Sequence, residues 1–551
     1  MNLKNLISAN TLKAIKQILI AGLVMTAAFG CSAQHENTKE QKPNIVLILA
    51  DDLGYGDISA YGASKISTPA IDGLAEEGMR FNNAYAPSSL CSPSRYSLLT
   101  GRYSWRTRLE YGVLKYFDTP LISEDETTLA DLLKRNGYYI ACIGKWHLGF
   151  EWEVNENAPE NPEKNVFDSW DKNVQDYIDF TKPVDEGPVE RGFDYFYGMT
   201  GSNNMQPYVY IENNRVTEAP SVPQKAYDHY INVDRAPNWD IKEVNKVFTQ
   251  KAVDVINDHY KDRADQPLFL YFPASAIHRP CLPTFTKGKS RAGLRGDIVL
   301  ELDWTVEEII KALKANNAYD NTLLIFTSDN GPRPGDPVLW LETYAEGDYE
   351  DYHQDYYDDY EPEYVNEQGN RIWEKGWMTY GHDAAGKLLG FKSDAWEGAF
   401  RVPFIVRWPG KVTPGTSNEN VICLTDVMTT FADILNDTLS EDTGVDSYSF
   451  LSNLLDRDAS QVRKSLTISG GASGAMVEIA DGWKFIEAAV PGRWPETYYP
   501  DGPSKLEPQL YYLKEDPGEN NNLYNSEKEK VKELKEIIAT VRENPGVEGS
   551  N

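Results

Sequence analysis

The sequence is poor in cysteine. Only five of its 551 residues are cysteine, which is too few for the disulfide framework on which many exported domains depend. Apart from Cys31 near the N-terminus, they stand far apart and lack the spacing of a zinc site, at positions 91, 142, 281 and 423. We therefore expect three of these four to be small buried apolar residues. Cys91 has a different sequence context, described below.

Basic residues are also scarce relative to acidic ones. The chain has 54 lysine and arginine residues against 84 aspartate and glutamate residues, and its net charge is -30. This balance argues against nucleic acid as a partner, because phosphate backbones are bound by basic surfaces. If the substrate is an anion, the overall field opposes its approach, so a few well-placed Lys, Arg and His side chains must bind it.

The N-terminus has the layout of a bacterial export signal. Lysines precede the apolar run Ile18–Phe29, and small residues surround Cys31. The run is short for a membrane-spanning anchor. We expect residues 1–33 to be a signal peptide and the mature protein to be periplasmic or associated with the outer membrane or cell surface of a Gram-negative bacterium. Two interpretations of Cys31 stay open, lipid attachment or ordinary cleavage nearby, and only the first would tie the protein to a membrane.

The length predicts more than one domain, since domains usually contain about 100–200 residues. Over residues 41–455, unbroken apolar runs alternate with amphipathic helical segments such as Thr305–Leu313. Such runs are typical of strands that are covered on both faces. This pattern predicts an α/β domain with a large sheet between helices. Residues 456–545 predict a small antiparallel sheet followed by a helix. The apolar runs are Asn44–Ala50, Tyr139–Ile143, Leu268–Phe272, Thr322–Thr327 and Phe404–Val406.

Polar side chains follow four of these runs. Asp51 and Asp52 come after the first, Lys145 and His147 after the second, His278 shortly after the third, and Asp329 and Asn330 after the fourth. Ligand sites in α/β sheets lie beyond the carboxyl ends of the strands. The sequence therefore predicts one site at this edge. Three carboxylates and one amide form an oxygen-rich set that suits Ca²⁺, with Mg²⁺ less favoured because it needs stricter octahedral geometry.

The most informative stretch is residues 91–95, Cys-Ser-Pro-Ser-Arg, followed by Leu-Thr-Gly-Arg at 99–102. Pro93 suits the first turn of a helix, which would place Cys91 just before a positive helix end. The stretch resembles the signature of the type I sulfatases, in which the first residue is oxidised to formylglycine. Further similarities lie at residues 48–57, 144–149, 327–331, 390–403, 481–484 and 516–519, and thus span nearly the whole mature chain.

The resemblance implies an alkaline-phosphatase-like fold and a site in which Asp51, Asp52, Asp329, Asn330 and the modified Cys91 hold the metal ion. It implies that the hydrated aldehyde at position 91 attacks sulfur with help from Arg95. Lys145, Lys392 and His278 are assigned to the sulfate oxygens. His278 is also assigned as the general acid and His147 as the base. A formylglycine-generating maturation enzyme is an implied partner.

The function we expect is hydrolysis of sulfate esters on a sulfated polysaccharide, with a marine algal glycan as the leading substrate. Aromatic residues in 201–210 and 344–364 either stack on sugar rings or pack within loops. Two alternatives stay open: a phosphodiester or phosphonate monoester hydrolase with the same chemistry, and a non-catalytic glycan-binding lipoprotein.

Overall fold

The computed structural model describes most of the chain after residue 41. It covers residues 42–158, 173–225, 232–280, 282–334, 380–456, 458–470, 475–488 and 508–544, with the strand residues Tyr364–Val365 and Arg371–Ile372. The export signal with Cys31, Cys281 and nearly all of the segment 344–364 fall outside these ranges. The predictions made for them stay predictions.

Twenty strands lie within the described part of the chain. In chain order they are β1 (Asn44–Ala50), β2 (Met79–Tyr85), β3 (Tyr139–Lys145), β4 (Glu151–Trp152), β5 (Val184–Asp185), β6 (Tyr195–Met199), β7 (Ile211–Glu212), β8 (Arg215–Val216), β9 (Val222–Lys225), β10 (Asn232–Arg235), β11 (Leu268–Pro273), β12 (Thr322–Ser328), β13 (Tyr364–Val365), β14 (Arg371–Ile372), β15 (Phe404–Arg407), β16 (Thr416–Cys423), β17 (Ser465–Gly470), β18 (Ala475–Ala480), β19 (Trp483–Ile486) and β20 (Gln509–Tyr512).

The helices are mostly amphipathic. They are α1 (Pro69–Glu76), α2 (Cys91–Thr100), α3 (Leu129–Arg135), α4 (Val244–Asp262), α5 (Gly293–Ala315), α6 (Glu397–Phe400), α7 (Val427–Leu435), α8 (Leu451–Leu455) and α9 (Lys528–Glu543), with short 3-10 turns at Ser59–Tyr61, Ser104–Arg106, Gln175–Tyr177, Tyr319–Asn321 and Leu424–Asp426. Among the described residues, no helix combines the length and the apolar character needed to cross a membrane.

Ten strands form one mixed sheet in the order β16-β2-β15-β12-β1-β11-β3-β6-β7-β8. The run from β12 to β6 is parallel, whereas β15 pairs antiparallel with β12. Every residue of β1 is buried, because helices cover both faces of a parallel sheet. The predicted α/β class and its large mixed sheet are therefore confirmed. The structure extends most of the predicted central strands by one or two residues at their carboxyl ends, because residues outside the apolar runs, such as Pro273 and Lys145, still continue the ladder.

A smaller antiparallel sheet in the order β17-β18-β19-β20 follows, together with α9, as the sequence predicts for the C-terminal part. Its apolar face shares a core with the large sheet, in which Ile468 and Val477 meet Trp396, Phe400 and the buried thiol of Cys423. The described residues between 43 and 544 belong to one compact unit. The boundary between residues 455 and 456 stays a prediction.

A buried ion pair supports the region behind α2. The Nε atom of Arg463 donates to Asp426 at 2.8 Å, and Asp426 also accepts from the backbone N–H groups of Cys423 and Tyr448. Both side chains are nearly inaccessible, at 2% and 1% exposure. The turn that contains Asp426 packs directly on α2. The pair therefore fixes the position of a helix whose first residue is Cys91.

Removing the charge of Arg463 should cost far more stability than removing that of an exposed arginine. Arg463→Met leaves Asp426 as an uncompensated buried charge, and we expect the free energy of unfolding to fall by about 3–5 kcal/mol. Arg135→Met is the matched control because Arg135 pairs with Asp437 at the surface with 41% of its side chain exposed, and it should cost less than about 1 kcal/mol. Urea unfolding measures both. Equal effects of the two variants would contradict this account of the buried pair.

Candidate active site

The polar residues that follow the central strands meet at one edge of the sheet. Ala50 and Ser328 are register partners at the ends of β1 and β12, so Asp51 and Asp329 leave neighbouring strands side by side. Lys145 is the last residue of β3, two strands away from β1 in the sheet. Parallel strands place their carboxyl ends together. Residues far apart in the sequence are in this way brought into direct contact.

Cys91 lies in the middle of this group. It is the first residue of α2, with Leu90 as the N-cap, so the helix begins at Cys91 and not after it. Its Sγ atom lies 3.1 Å from Nζ of Lys392 and 3.6 Å from Oδ1 of Asp51. Burial raises the pKa of the thiol to about 12 although Lys145 and Lys392 act in the opposite direction. An unmodified Cys91 is therefore a poor nucleophile at neutral pH.

Arg95 lies one helical turn after Cys91 and faces the same side of α2. Its Nε and Nη2 atoms donate to Oδ2 of Asp329 at 3.0 and 2.7 Å, and Nη1 donates to the backbone carbonyl of Lys145 at 3.0 Å. Nη2 also lies 3.7 Å from Oδ2 of Asp51. The guanidinium thus holds the ends of β1, β3 and β12 together beneath position 91.

Each of the two lysines pairs with one aspartate. Nζ of Lys145 lies 2.7 Å from Oδ2 of Asp51, and Nζ of Lys392 lies 2.5 Å from Oδ1 of Asp52. Burial raises the pKa of Asp51 to about 6, since it outweighs the attraction of Lys145. Burial also opposes ionisation of Asp52, but there Lys392 and His278 prevail and lower its pKa. With Asp329 and Arg95 included, the buried cluster contains three carboxylates and three cations. Its net charge is therefore close to zero.

The two assigned histidines differ in the ring nitrogen that each leaves available. The Nε2 atom of His147 lies 3.0 Å from the carbonyl of Leu114, an acceptor, so Nε2 carries the hydrogen. Its Nδ1 atom is buried and has no hydrogen-bond partner within the described part of the chain. His278 is the reverse: Nδ1 donates to the carbonyl of Arg279 at 2.8 Å, and Nε2 lies 3.8 Å from Oδ2 of Asp52. Burial lowers the pKa of both imidazoles well below the usual value.

Several side-chain oxygens at this site are suited to bind a metal ion. Ligand atoms of Asp51, Asp52, Cys91 and His278 all lie within 4.8 Å of one another. Oδ1 of Asn330 is buried without a hydrogen-bond partner among the described residues, while Nδ2 of the same side chain donates to Asp52 at 2.8 Å. Asp329 presents Oδ1 to the backbone N–H of Asp52 at 3.2 Å and gives Oδ2 to Arg95. The donor set fits a hard divalent cation, because carboxylate and amide oxygens dominate it.

A second layer of charges fixes Asp52 from behind. Nη2 of Arg295 donates to the backbone carbonyl of Asp52 at 2.9 Å and to Oδ2 of Asp57 at 2.6 Å. Nε2 of His382 completes the cluster at 2.9 Å from Oδ1 of Asp57. These contacts hold a backbone in which Asp52 has a positive φ of 63°, a conformation that is strained for an aspartate. Sequence reasoning missed Arg295, because an arginine within a helix carries no signal of burial.

The aromatic residues of 201–210 prove to be packed inside the protein. Tyr208 and Tyr210 are buried, at 0% and 1% exposure, and lie against the indole of Trp239. Of the two interpretations, packing within the loop is therefore correct for these two rings. The residue just before this segment lies beside the site: the carbonyl of Thr200 accepts a hydrogen bond from the backbone N–H of His147 at 2.8 Å.

Comparison with known proteins identifies the family. Residues 43–437 match the family model described as Sulfatase. The chain is 31% identical to an N-acetylgalactosamine-6-O-sulfatase of Bacteroides thetaiotaomicron, and the match covers 95% of this chain and 98% of that protein.

Solved structures agree with this assignment. A sulfatase structure from a study of glycosaminoglycan metabolism by Bacteroides thetaiotaomicron superposes with a TM-score of 0.72 at 30% identity, over 92% of this chain and 100% of that one. The phosphonate monoester hydrolase of Agrobacterium radiobacter, at 17% identity and a TM-score of 0.50 over 91% and 96% of the two chains, shares the fold. The chain belongs to the sulfatase family of the alkaline phosphatase superfamily and is a sulfuric ester hydrolase.

Proposed function

We propose that this enzyme removes sulfate from a sulfated polysaccharide or its oligosaccharides, with a formylglycine made from Cys91 as the nucleophile. The observation that carries the proposal is the position of Cys91, which lies 3.1 Å from Nζ of Lys392 and 3.6 Å from Asp51 in a buried, charge-balanced group. The hydrate of formylglycine has two hydroxyl groups on one carbon, one to attack sulfur and one to expel the sulfate afterwards. The thiol specified by the gene is protonated and unsuited to either step.

The metal ion that the family implies is proposed to be Ca²⁺, with Mg²⁺ less favoured because it needs stricter octahedral geometry than donors from three separate elements readily provide. Asp51, Asp52, Asp329, Asn330 and position 91 would hold it, and the unpartnered Oδ1 of Asn330 supports this assignment. When bound, such an ion polarises a sulfate oxygen and favours ionisation of a nearby hydroxyl group. The buried side chains alone carry almost no net charge. A divalent cation would therefore compensate the negative charge of the bound ester and of an ionised hydroxyl group.

The two buried lysines are placed to bind the sulfate group. Nζ of Lys392 contacts both Asp52 and Sγ of Cys91, and Nζ of Lys145 contacts Asp51, whose other carboxylate oxygen lies 3.6 Å from Sγ of Cys91. Charges fixed before the reaction stabilise the negative oxygens of the transition state without a cost of reorganisation. Arg95 is proposed to act from below, by holding Asp329 and the end of β3 in place.

Proton transfer is assigned to the two histidines. The neutral His147 has a lone pair on Nδ1 and is proposed to remove the proton of the second hydroxyl group. His278 is proposed to protonate the leaving oxygen. Its resting imidazole is neutral, and an anionic ester bound beside it would favour the protonated form, because opposite charge stabilises imidazolium.

The substrate class is proposed from the relatives. The Bacteroides thetaiotaomicron protein that is 31% identical along nearly its whole length is named for sulfate at O6 of N-acetylgalactosamine. We therefore propose a sulfated hexose or hexosamine within a polysaccharide, and the marine algal glycan stays a prediction within that class. Export through residues 1–33, maturation by a formylglycine-generating enzyme, and a division into a catalytic domain (41–455) and a C-terminal subdomain (456–545) belong to the same proposal.

Modification of Cys91 is the first test. Mass analysis of the peptide that spans Cys91 should show an aldehyde in place of the thiol, and Cys91→Ala should lower kcat/KM on sulfate esters by at least about 10⁴-fold, as loss of a nucleophile does in other hydrolases. Cys142→Ala is the matched control, because Cys142 is also a buried free cysteine but has no proposed role. An unmodified thiol together with full activity of Cys91→Ala would end the proposal.

Removal of the metal ion is the second test. Dialysis against a chelator should abolish activity, and Ca²⁺ should restore it at lower concentration than Mg²⁺. At about 100 times its dissociation constant, Ca²⁺ should also stabilise the protein by about 2.7 kcal/mol, measured as a shift in the melting temperature. Asp52→Asn should lose this shift, whereas Asp320→Asn, with 95% of its side chain exposed, should keep it. A chelated enzyme with unchanged activity and melting temperature would rule out the ion.

Comparison of esters is the third test and separates the rival enzymes. With a sulfate monoester, a phosphonate monoester and a phosphodiester of one chromogenic alcohol, kcat/KM should favour sulfate by about 100-fold, because each phosphorus ester has a carbon or alkoxy group in place of one of the three free oxygens of sulfate. Sulfate release from 6-O-sulfated galactosamine, carrageenan and fucoidan oligosaccharides then ranks the glycans. Preference for either phosphorus ester would support the phosphonate or phosphodiester hydrolase, and glycan binding without turnover would support the lipoprotein.

A further inference from the structure

The segment that contains Lys392 lies outside the strands of the large sheet and is held by contacts at both of its ends. Lys392 lies in a turn between Gly390, where φ is 86°, and α6. At one end of the turn, the backbone N–H of Lys392 donates to the carbonyl of Pro332 at 2.7 Å. At the other end are Trp396 and Glu397. A Cβ atom placed on Gly390 would lie 2.8 Å from Cβ of Trp396, so the tryptophan packs directly against the turn.

Trp396 and Glu397 are both anchored to the small C-terminal sheet. The indole Nε1 of Trp396 donates to Oε1 of Gln509 on β20 at 2.8 Å. The backbone N–H of Glu397 donates to Oε2 of Glu519, just beyond β20, at 2.6 Å. Lys484 of β19 lies between the two carboxylates, with Nζ 3.1 Å from Glu397 and 2.8 Å from Glu519.

The three central side chains of this cluster are fully buried, and the formal charges of the cluster balance. The side chains of Lys484, Glu397 and Glu519 have 0% exposure. Nη2 of Arg401 lies 2.8 Å from Oε2 of Glu397, and the hydroxyl of Tyr85 donates to the same oxygen at 2.9 Å. Two carboxylates and two cations thus compensate each other where water is excluded. A buried ionic cluster loses much of its stability when one member is removed, so its geometry is well fixed.

We propose that Lys484, Gln509 and Glu519 are positioning residues for Lys392, and that through Trp396 and Glu397 they fix the turn that brings the Lys392 ammonium to position 91. The C-terminal sheet thereby takes part in sulfate hydrolysis although it contributes no group to the reacting atoms. The inference rests on the proposed role of Lys392 in binding sulfate. If the cluster only attached the small sheet to the rest of the protein, the effect of mutating it would be the same with and without Lys392.

A double-mutant cycle on the full-length, matured enzyme tests the inference. Lys484→Met should lower kcat/KM by about 100-fold, the effect expected when a group that binds the reacting centre moves by about 1 Å. In a Lys392→Ala background the same change should cause no further loss, because the residue it positions is already absent. Arg407→Met is the matched control: Arg407 is a buried cation paired with Glu77 at the opposite edge of the sheet. It should lower stability and leave kcat/KM unchanged.

Trp396→Phe provides a second cycle if Lys484→Met does not fold. It keeps an aromatic ring against Gly390 and removes the N–H that donates to Gln509, so we expect kcat/KM to fall about tenfold, equivalent to one hydrogen bond. That loss should also vanish in the Lys392→Ala background. Suppose that Lys392→Ala is impaired and that Lys484→Met or Trp396→Phe causes its full loss of kcat/KM in that background as well. The positioning role is then overturned, while the proposed function stands. Wild-type kcat/KM in Lys392→Ala itself overturns the positioning role together with the proposed role of Lys392 in binding sulfate.

Discussion

The structure depends on a balance of buried charge at the carboxyl edge of the large sheet. Asp51 with Lys145, Asp52 with Lys392, and Asp329 with Arg95 form three ion pairs in which every partner is nearly inaccessible to water. A buried charge without a partner is costly, so each member fixes the position of the next. These same groups surround Cys91. The requirement for neutrality and the requirement for sulfate chemistry are met by one set of side chains.

The fold supplies this balance from distant parts of the sequence. The parallel strands β1, β3 and β12 bring their ends to one edge, and α2 places Cys91 and Arg95 above them one turn apart. Lys392 arrives from a turn outside the sheet, and the small C-terminal sheet anchors both Trp396 and Glu397 beside it. Behind the site, Arg295 and Asp57 support the strained backbone of Asp52. At this depth the local ion pairs dominate over the net charge of -30 that the whole chain carries.

Much of the fold was predictable because apolar runs are a strong local signal. The predicted strand at Asn44–Ala50 has the same bounds in the structure, and the others differ by one or two residues at their carboxyl ends. Short strands such as β7 and β8 were not predicted, since two-residue strands lack a pattern. The residue types at the site were also readable, because polar side chains follow four separate apolar runs and ligand sites lie beyond such strand ends. The partners of each side chain could not be predicted. Asp329, which was expected to bind metal, also accepts two hydrogen bonds from Arg95.

By itself, the sequence determined the α/β class, the signature at residues 91–95 and the set of polar groups at the strand ends. These features are local, and each can be recognised within a few residues. Only the tertiary structure decided which carboxylate pairs with which cation, which nitrogen of His147 is available, and that Tyr208 and Tyr210 are buried and not exposed to a sugar. It alone showed that Lys484 pairs with Glu397 and Glu519, because the similarity at residues 481–484 and 516–519 carries no information about which side chains these residues contact. Burial and pairing result from contacts between residues that lie hundreds of positions apart, and no local pattern records them.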